Sequence, residues 1–253
     1  MTAIFLYATN TGTMVRRELF RTLRTVDSIV ISLMVPVGIL FAFVWVFGGA
    51  IQSGGGYVNY VMPGLLLMCA AFGSSQTAVS VAQDIKSGVV DRFRTMPIAG
   101  STVLAGHVVA SALRNLATSA VLLGCAVVLG FRPQATWGSA LAAIALLLGF
   151  VLAFTWLSTL AGLLLSPEAA SGLTSITIFL PYVSSAFVRP ETMPSWLRGF
   201  AEHQPFTPVT EALRAFLLGG DAGSAGWIAV AWCVGLGFAG WVGSAMIFRG
   251  RRS

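Results

Sequence analysis

The sequence predicts an all-α polytopic membrane protein with six transmembrane helices. Three observations carry that prediction. First, 56% of the 253 residues are hydrophobic and only 9% are charged, with a mean hydropathy of +0.84. A soluble domain carries about 25% charged residues, so water could not wet this whole surface. Second, residues 28–83, 133–167 and 222–248 contain no charge at all, and crossing the hydrocarbon core takes roughly 20 helical residues. Third, no apolar run alternates with period two, and each is too long for a membrane β-strand of about ten residues. A soluble enzyme, a disordered chain and a disulfide-stapled domain are excluded together.

The elements follow in order. From Gly12 to Asp27 the chain is an amphipathic helix: Val15, Leu19, Leu23 and Val26 share one face, opposite Arg17, Glu18, Arg21 and Arg24, with Arg16 off the pattern. Such a helix lies in the headgroup layer, each Arg adding about 1 kcal/mol of attraction to anionic lipid. It serves either as a positive-inside anchor or also as a docking surface for a cytoplasmic partner. The stretch from Thr2 to Thr13 is short and weakly apolar, with its basic cluster behind it, so no cleaved signal peptide is expected. The first charge-free gap is broken by Gln52-Ser53-Gly54-Gly55-Gly56 into spans at 28–50 and 58–82. Further spans are expected at 103–130, 137–165, 169–188 and 225–248, in a single membrane domain over 1–253. Between spans two and three, Ile85, Val89, Phe93 and Met96 form an apolar stripe on a short charged helix, 84–97, which Pro97 ends.

Orientation follows the basic residues. Arg16, Arg17, Arg21, Arg24, Lys86, Arg92, Arg94, Arg249, Arg251 and Arg252 fall on one side, against Arg132, Arg189, Arg198 and Arg214 on the other. Both termini are therefore expected in the cytoplasm, although the turn Ser166-Pro167-Glu168 is placed there without a basic residue. The Arg residues sit at the ends of apolar runs and do not pool into a nucleic-acid groove. The near absence of Lys suggests a GC-rich bacterial source.

Catalytic motifs are missing. Lys86-Ser87 lacks the preceding glycines of a phosphate-binding loop, and His107 and His203 are too few and too distant for a helical zinc site. Cys69, Cys125 and Cys233 lie in separate apolar runs and read as small packing residues. No catalytic residue and no metal site is expected.

The run Asp84-Ile85-Lys86-Ser87-Gly88-Val89-Val90-Asp91-Arg92-Phe93-Arg94-Thr95-Met96-Pro97 resembles the signature between the second and third spans of type-2 ABC exporter permeases. It is most similar to the daunorubicin-resistance permease group. A second block resembles the same group in order: Ser184-Ser185-Ala186-Phe187-Val188, Met193-Pro194-Ser195-Trp196-Leu197, Gln204-Pro205-Phe206-Thr207-Pro208 and Ala212-Leu213-Arg214. Tyr60-Val61-Met62-Pro63-Gly64 and Arg114-Asn115-Leu116 are looser matches. The resemblance implies a permease subunit paired with a second one, identical or homologous, and served by two ATPase subunits that hold the ATP and Mg. It implies that 84–97 is the coupling helix, with Asp84, Ile85, Lys86, Gly88, Asp91, Arg92, Phe93, Arg94 and Pro97 in contact with the ATPase. It further implies that 12–27 is the connecting helix, carrying Arg16, Arg17, Glu18, Arg21 and Arg24. The outer region 190–220 would form short re-entrant helices. Trp196, Phe200, Phe206 and Leu213 are apolar enough for that, and Pro190, Pro194, Pro205 and Pro208 keep the segment from spanning.

Within the spans, His107 and Arg114 are seven apart and share a face, and Asn115 adjoins them. A charge at a helix centre costs about 2.5–3.5 kcal/mol, so Arg114 needs a partner: main-chain carbonyls, another span, or a substrate path. Glu168 reads as a helix N-terminal charge. Ala231, Gly235, Ala239 and Gly243, spaced by four, suggest close packing within the subunit or a dimer seam. Trp45, Trp137, Trp156, Trp227, Trp232 and Trp241 suit an interfacial belt. Phe41, Phe72, Phe179, Ser74 and Ser75 are candidates for a substrate path, the other aromatics Phe43 and Phe47 lying nearby in sequence.

The function expected is the permease subunit of an ATP-driven exporter in a bacterial cytoplasmic membrane, moving a hydrophobic or amphipathic compound, drug-like or lipid-like, out of the cytoplasm or inner leaflet. An ion-coupled secondary transporter would need an intramembrane carboxylate pair or inverted repeat. An intramembrane enzyme would need clustered catalytic side chains, and a non-transporting scaffold would have no use for an amphipathic coupling segment.

Overall fold

The computed structural model describes residues 12, 15, 26–47, 57–88, 100–188 and 190–250. Among the described residues the chain is all-helical: α1 (Val26–Ala42), α2 (Tyr57–Lys86), α3 (Gly100–Val128), α4 (Trp137–Leu164), α5 (Pro167–Thr177), α6 (Ser195–His203), α7 (Phe206–Leu218) and α8 (Gly223–Gly250). A π-helical turn, Phe43–Phe47, continues α1 without a gap, and 3-10 turns occupy Leu180–Val183 and Pro190–Thr192. Among the described residues four helices are long and apolar enough to cross a membrane: Tyr57–Lys86, Leu104–Val128, Trp137–Leu164 and Gly223–Phe248. Of the expected connecting helix, Gly12, Val15, Val26 and Asp27 are described, the last two opening α1; the rest, with Arg16, Arg17, Glu18, Arg21 and Arg24, lies outside the described residues. So do Asp91, Arg92, Phe93, Arg94 and Pro97 of the expected coupling helix.

Local chemistry sets the helix ends. Thr136 caps α4, its hydroxyl accepting from Ser139 N–H at 3.3 Å, and Ser166 caps α5 by accepting from Ala169 N–H at 3.3 Å. Pro167 follows at the first position of α5, where its missing N–H costs nothing. Gly88, with φ of 69°, closes the α2 end, and Gly219, with φ of 77°, closes α7.

The axis of the molecule is α2. In its most apolar stretch 78% of residues are buried, against 17% for α8, and it packs on α1, α3, α4, α5 and α7. Its crossing with α4 is backbone against backbone: a methyl on Gly162 would come within 2.5 Å of the Ala78 carbonyl oxygen. Main-chain bonds then fix which ends lie together. Arg132 N–H donates to Asn59 Oδ1 at 3.1 Å and Gln134 N–H donates to the Leu217 carbonyl at 2.9 Å. The α3–α4 turn, the start of α2 and the end of α7 therefore share one end. At the opposite end Val81, Leu104, Leu163 and Phe248 pack as one cluster from α2, α3, α4 and α8.

Two expectations are realised differently. The stretch 169–188, expected as a continuous fifth span, is the 11-residue α5 followed by a 3-10 turn. Pro181 lacks the N–H that would bond to Thr177, and its ring clashes with that carbonyl, so the α-helix stops there. On α8 the packing stripe is Ala229, Cys233, Gly237, Gly240, Ser244 and Phe248. Ala231, Gly235 and Ala239 are exposed, and a methyl on Gly235 would touch nothing within 4 Å. A strict four-residue spacing drifts by about 40° per step, whereas steps of four and three keep to one face. Gly243 of the expected stripe does pack on α4, a methyl there meeting Leu160 at 2.9 Å, and the closest approach is made by Gly240 against the backbone of Trp156 and Leu157; Ala231, Gly235 and Ala239 stay on the outer face, where a dimer seam would need them.

Candidate functional site

The polar side chains inside the bundle fall into three tiers along α2. At the Lys86 end, Asp84 Oδ2 lies 3.2 Å from His107 Nε2, and both side chains are about 95% buried. Lys86 Nζ, beside them on the surface, donates to Glu168 Oε1 at 2.8 Å. That bond, with the helix N-terminal setting of α5, holds the Glu168 carboxyl down to about 2, well below its ordinary 4.5. Glu168 stands in the first turn of α5, as a helix N-terminal charge should. Ile85 is half-buried and packs on the Val81 cluster.

The middle tier links α2, α3 and α4. Asn115 Nδ2 donates to the Ser111 carbonyl at 2.9 Å and reaches Ser111 Oγ at 3.3 Å and Ser74 Oγ at 3.5 Å. Ser74 donates to the Val151 carbonyl at 3.4 Å, and the Ser111 and Thr155 hydroxyls meet at 3.4 Å. Gly73 leaves the room for this: a methyl there would collide with Asn115 Oδ1. Arg114 donates from one terminal nitrogen to the Gly73 carbonyl at 3.2 Å, so a main-chain carbonyl on a neighbouring helix is among its partners. Thr174 on α5 donates to the Ser75 carbonyl at 3.3 Å. The hydroxyls of this tier find acceptors, as a bilayer interior demands, whereas those of Thr77, Ser119, Thr210 and Ser244 are buried without a hydrogen bond among the described residues.

At the Tyr57 end, Arg214 of α7 is the anchor. It donates to the Tyr60 carbonyl at 3.2–3.3 Å and to the Ser185 carbonyl at 2.9 Å, with its guanidinium 4.1 Å from the centre of the Tyr60 ring. Tyr60 Oη donates to the same Ser185 carbonyl at 3.3 Å, and Ser185 N–H donates to Thr207 Oγ1 at 3.1 Å. Between this tier and the middle one, a cavity of about 600 Å³ opens among Leu66, Leu116, Leu123, Trp137, Ile144 and Leu213. Its lining is mostly apolar, with Ser119 and Thr136 among it, and it opens to the surface beside the exposed Trp137 and Ile144.

Of the residues picked from sequence, Asp84 and His107 meet each other, and Ser74 and Asn115 meet in the middle tier. Phe72, Ser74 and Ser75 are buried in the bundle, Phe41 packs on Trp45 at 5.1 Å, and Phe179 is 66% exposed. Among the described residues no ring contact joins Phe41, Phe72 and Phe179. Sequence reasoning passed over Ser111, Thr155 and Thr174. The signal for Ser111 was present, because a hydroxyl one turn before Asn115 in an apolar helix marks a shared buried face. Among the described residues no three His, Cys, Asp or Glu side chains converge.

The family model described as ABC-2 type transporter matches residues 9–218. The chain belongs to that family. It is 30% identical over 193 residues to the daunorubicin resistance ABC transporter permease of Streptomyces coeruleorubidus, covering 75% of this chain and 68% of the relative. The probable doxorubicin resistance ABC transporter permease of Mycobacterium tuberculosis, found in two strains, is 26% identical over 166 residues. That match covers 63% of this chain and 58% of the relative. As a member of the ABC-2 family with four long apolar helices, the chain is a multi-pass membrane protein and an ABC transporter permease. The family match runs through all three polar tiers and ends at Leu218, the last residue of α7.

Proposed function

We propose that this permease is the transmembrane subunit of an ATP-driven exporter that moves a hydrophobic or amphipathic compound out of the cytoplasm or inner leaflet. The observation that carries the proposal is the connection between the two helices at the heart of the bundle. Helix α2 ends at Lys86 and α3 begins at Gly100, and the intervening segment bears Asp91-Arg92-Phe93-Arg94. A charged connector rooted directly in two spans suits a surface pushed by a cytosolic ATPase. ATP and Mg belong in that separate subunit, two copies of which serve a pair of permeases, identical or homologous.

Six crossings remain the reading of the topology. Helix α1 with its π turn serves as the first, and α5 with the following 3-10 turn as the fifth. Helices α6 and α7, of nine and 13 residues, are too short to cross and dip back as re-entrant elements. Both termini face the cytoplasm of a bacterium in this reading. The Lys86–Glu168 bond supports it, since it brings the turn at Ser166 to the Lys86 end despite that turn's lack of a basic residue. The apolar 600 Å³ cavity supports a drug-like or lipid-like cargo, and the relatives' names make daunorubicin and doxorubicin the first compounds to try.

The test is copurification with candidate ATPase subunits. The parent should form a detergent-stable complex that hydrolyses ATP, and the double change Asp91→Ala, Arg92→Ala should weaken assembly. A parent that binds no ATPase, or a double variant indistinguishable from it, would sink the coupling assignment.

A further inference from the structure

The resemblance puts Asp84 in the surface that meets the ATPase, whereas its side chain is buried in the bundle. Asp84 is 3% exposed, lies in the last turn of α2, and sits 3.2 Å from His107, two turns into α3. Val81, Ala82, Leu104 and Val108, within a turn of the pair along α2 and α3, are buried as well. A carboxylate in such surroundings persists only with a close polar partner. Lys86, two residues on, is the contrast: it and Glu168 are 65% and 70% exposed, and a solvated pair of that kind is weakly held.

From this placement we infer that Asp84 and His107 form a clasp that locks together the two stems of the coupling segment. It passes the segment's displacement to α3, and Asp84 does not touch the ATPase. The inference rests on the permease reading above. A push on residues 87–99 arrives at the end of α2 and at the start of α3. Without a link, the two stems could splay and the push would be absorbed in the connector. With the buried pair in place they move as one unit. The cluster of Val81, Leu104, Leu163 and Phe248 beside it extends that unit to α4 and α8. Asp84 and His107 are thus positioning residues, acting through helix placement.

The experiment uses the full permease with its ATPase subunits in proteoliposomes. Cys69, Cys125 and Cys233 are changed to Ala, and Val128→Cys, at the exposed far end of α3, reports helix movement by its rate of maleimide labelling with and without ATP plus vanadate. In Asp84→Asn and in His107→Ala, ATPase assembly should be kept. The ATP-dependent change in labelling should fall by about fivefold or more, the lower bound of a typical coupling between sites. The exchange Asp84→His with His107→Asp, which rebuilds the pair in reverse, should restore the response and show that the singles did not act by misfolding. Loss of ATPase assembly in a monodisperse Asp84→Asn variant would make Asp84 an interface residue and overturn the clasp. So would an undiminished response in the singles, or no recovery in the exchange. A parent that binds no ATPase would overturn the permease reading and the clasp with it. A parent that binds and hydrolyses without any labelling change would overturn the clasp alone.

Discussion

At the scale of single residues, the exposed Lys86–Glu168 bond and the buried Asp84–His107 pair show how position decides what a charge does. Glu168 titrates near 2 because its ionised form is bonded by Lys86 and by the N-terminal groups of α5. Its folded value lies below the ordinary 4.5, so its contribution to stability is present above 4.5 and is lost as pH falls through about 2. Changing Lys86 to Ala should move the carboxyl part of the way back towards 4.5, the backbone and Ser166 contributions remaining. A carboxyl chemical-shift titration of the permease in nanodiscs would read this, and an unchanged titration would show that Lys86 is not the main cause. What sequence disclosed at this scale was uneven. Glu168 as a helix N-terminal charge was legible from Pro167 before it. That Asp84 points into the bundle was not, since a short amphipathic stripe through Ile85 places Asp84 beside the apolar face without saying that α2 runs on to Lys86.

Among the helices, contact is made where side chains are absent. Gly240 rests on the α4 backbone, and a methyl there would lie 2.7 Å from Leu157 N. Gly240→Leu should therefore force α8 away from α4 and lower stability by about 1–3 kcal/mol or more. Gly235→Leu, on the open face, should cost less than about 0.5 kcal/mol. Thermal unfolding of the two variants in detergent gives the comparison, and equal losses would place both glycines in packing. The long elements were legible because a charge-free run of membrane length has few other uses. Helix α5 was not: the stretch from Ala169 to Val188 carries no charge, and composition does not reveal that Pro181 divides it. For packing within the subunit only Gly243 of the expected α8 stripe serves, as a strict four-residue repeat winds around the helix while the contact stripe keeps to one face.

For the whole molecule, the polar tiers lie at three depths along one central helix, and the ends of the other helices are matched to them. The turn at Ser166 shares an end with Lys86, so Ser166→Cys and Lys86→Cys should be labelled by an impermeant maleimide from the same side of inverted vesicles. Labelling from opposite sides would break the topology proposed above. The all-helical membrane character followed from sequence, with four long apolar helices among the described residues; the cavity and the middle tier did not, because they depend on how α2, α3 and α4 are set against one another, which the pattern along any one helix does not reveal.

The crossing of α2 and α4 at Ala78 and Gly162 has a mechanical meaning. With no side chain between the two backbones, that point would serve as a fulcrum if α2 tilted as a unit, with arms of unequal length. At 1.5 Å per residue, Lys86 lies roughly 12 Å from the fulcrum and Tyr57 roughly 32 Å, so a small tilt is magnified about 2.6-fold at the far tip. The short arm carries the buried carboxylate and the long arm carries Tyr60, on whose carbonyl and ring Arg214 rests. On this geometry a shift of about an ångström at Lys86 would become about 2.6 Å at Tyr57, close to the residue that pins α7.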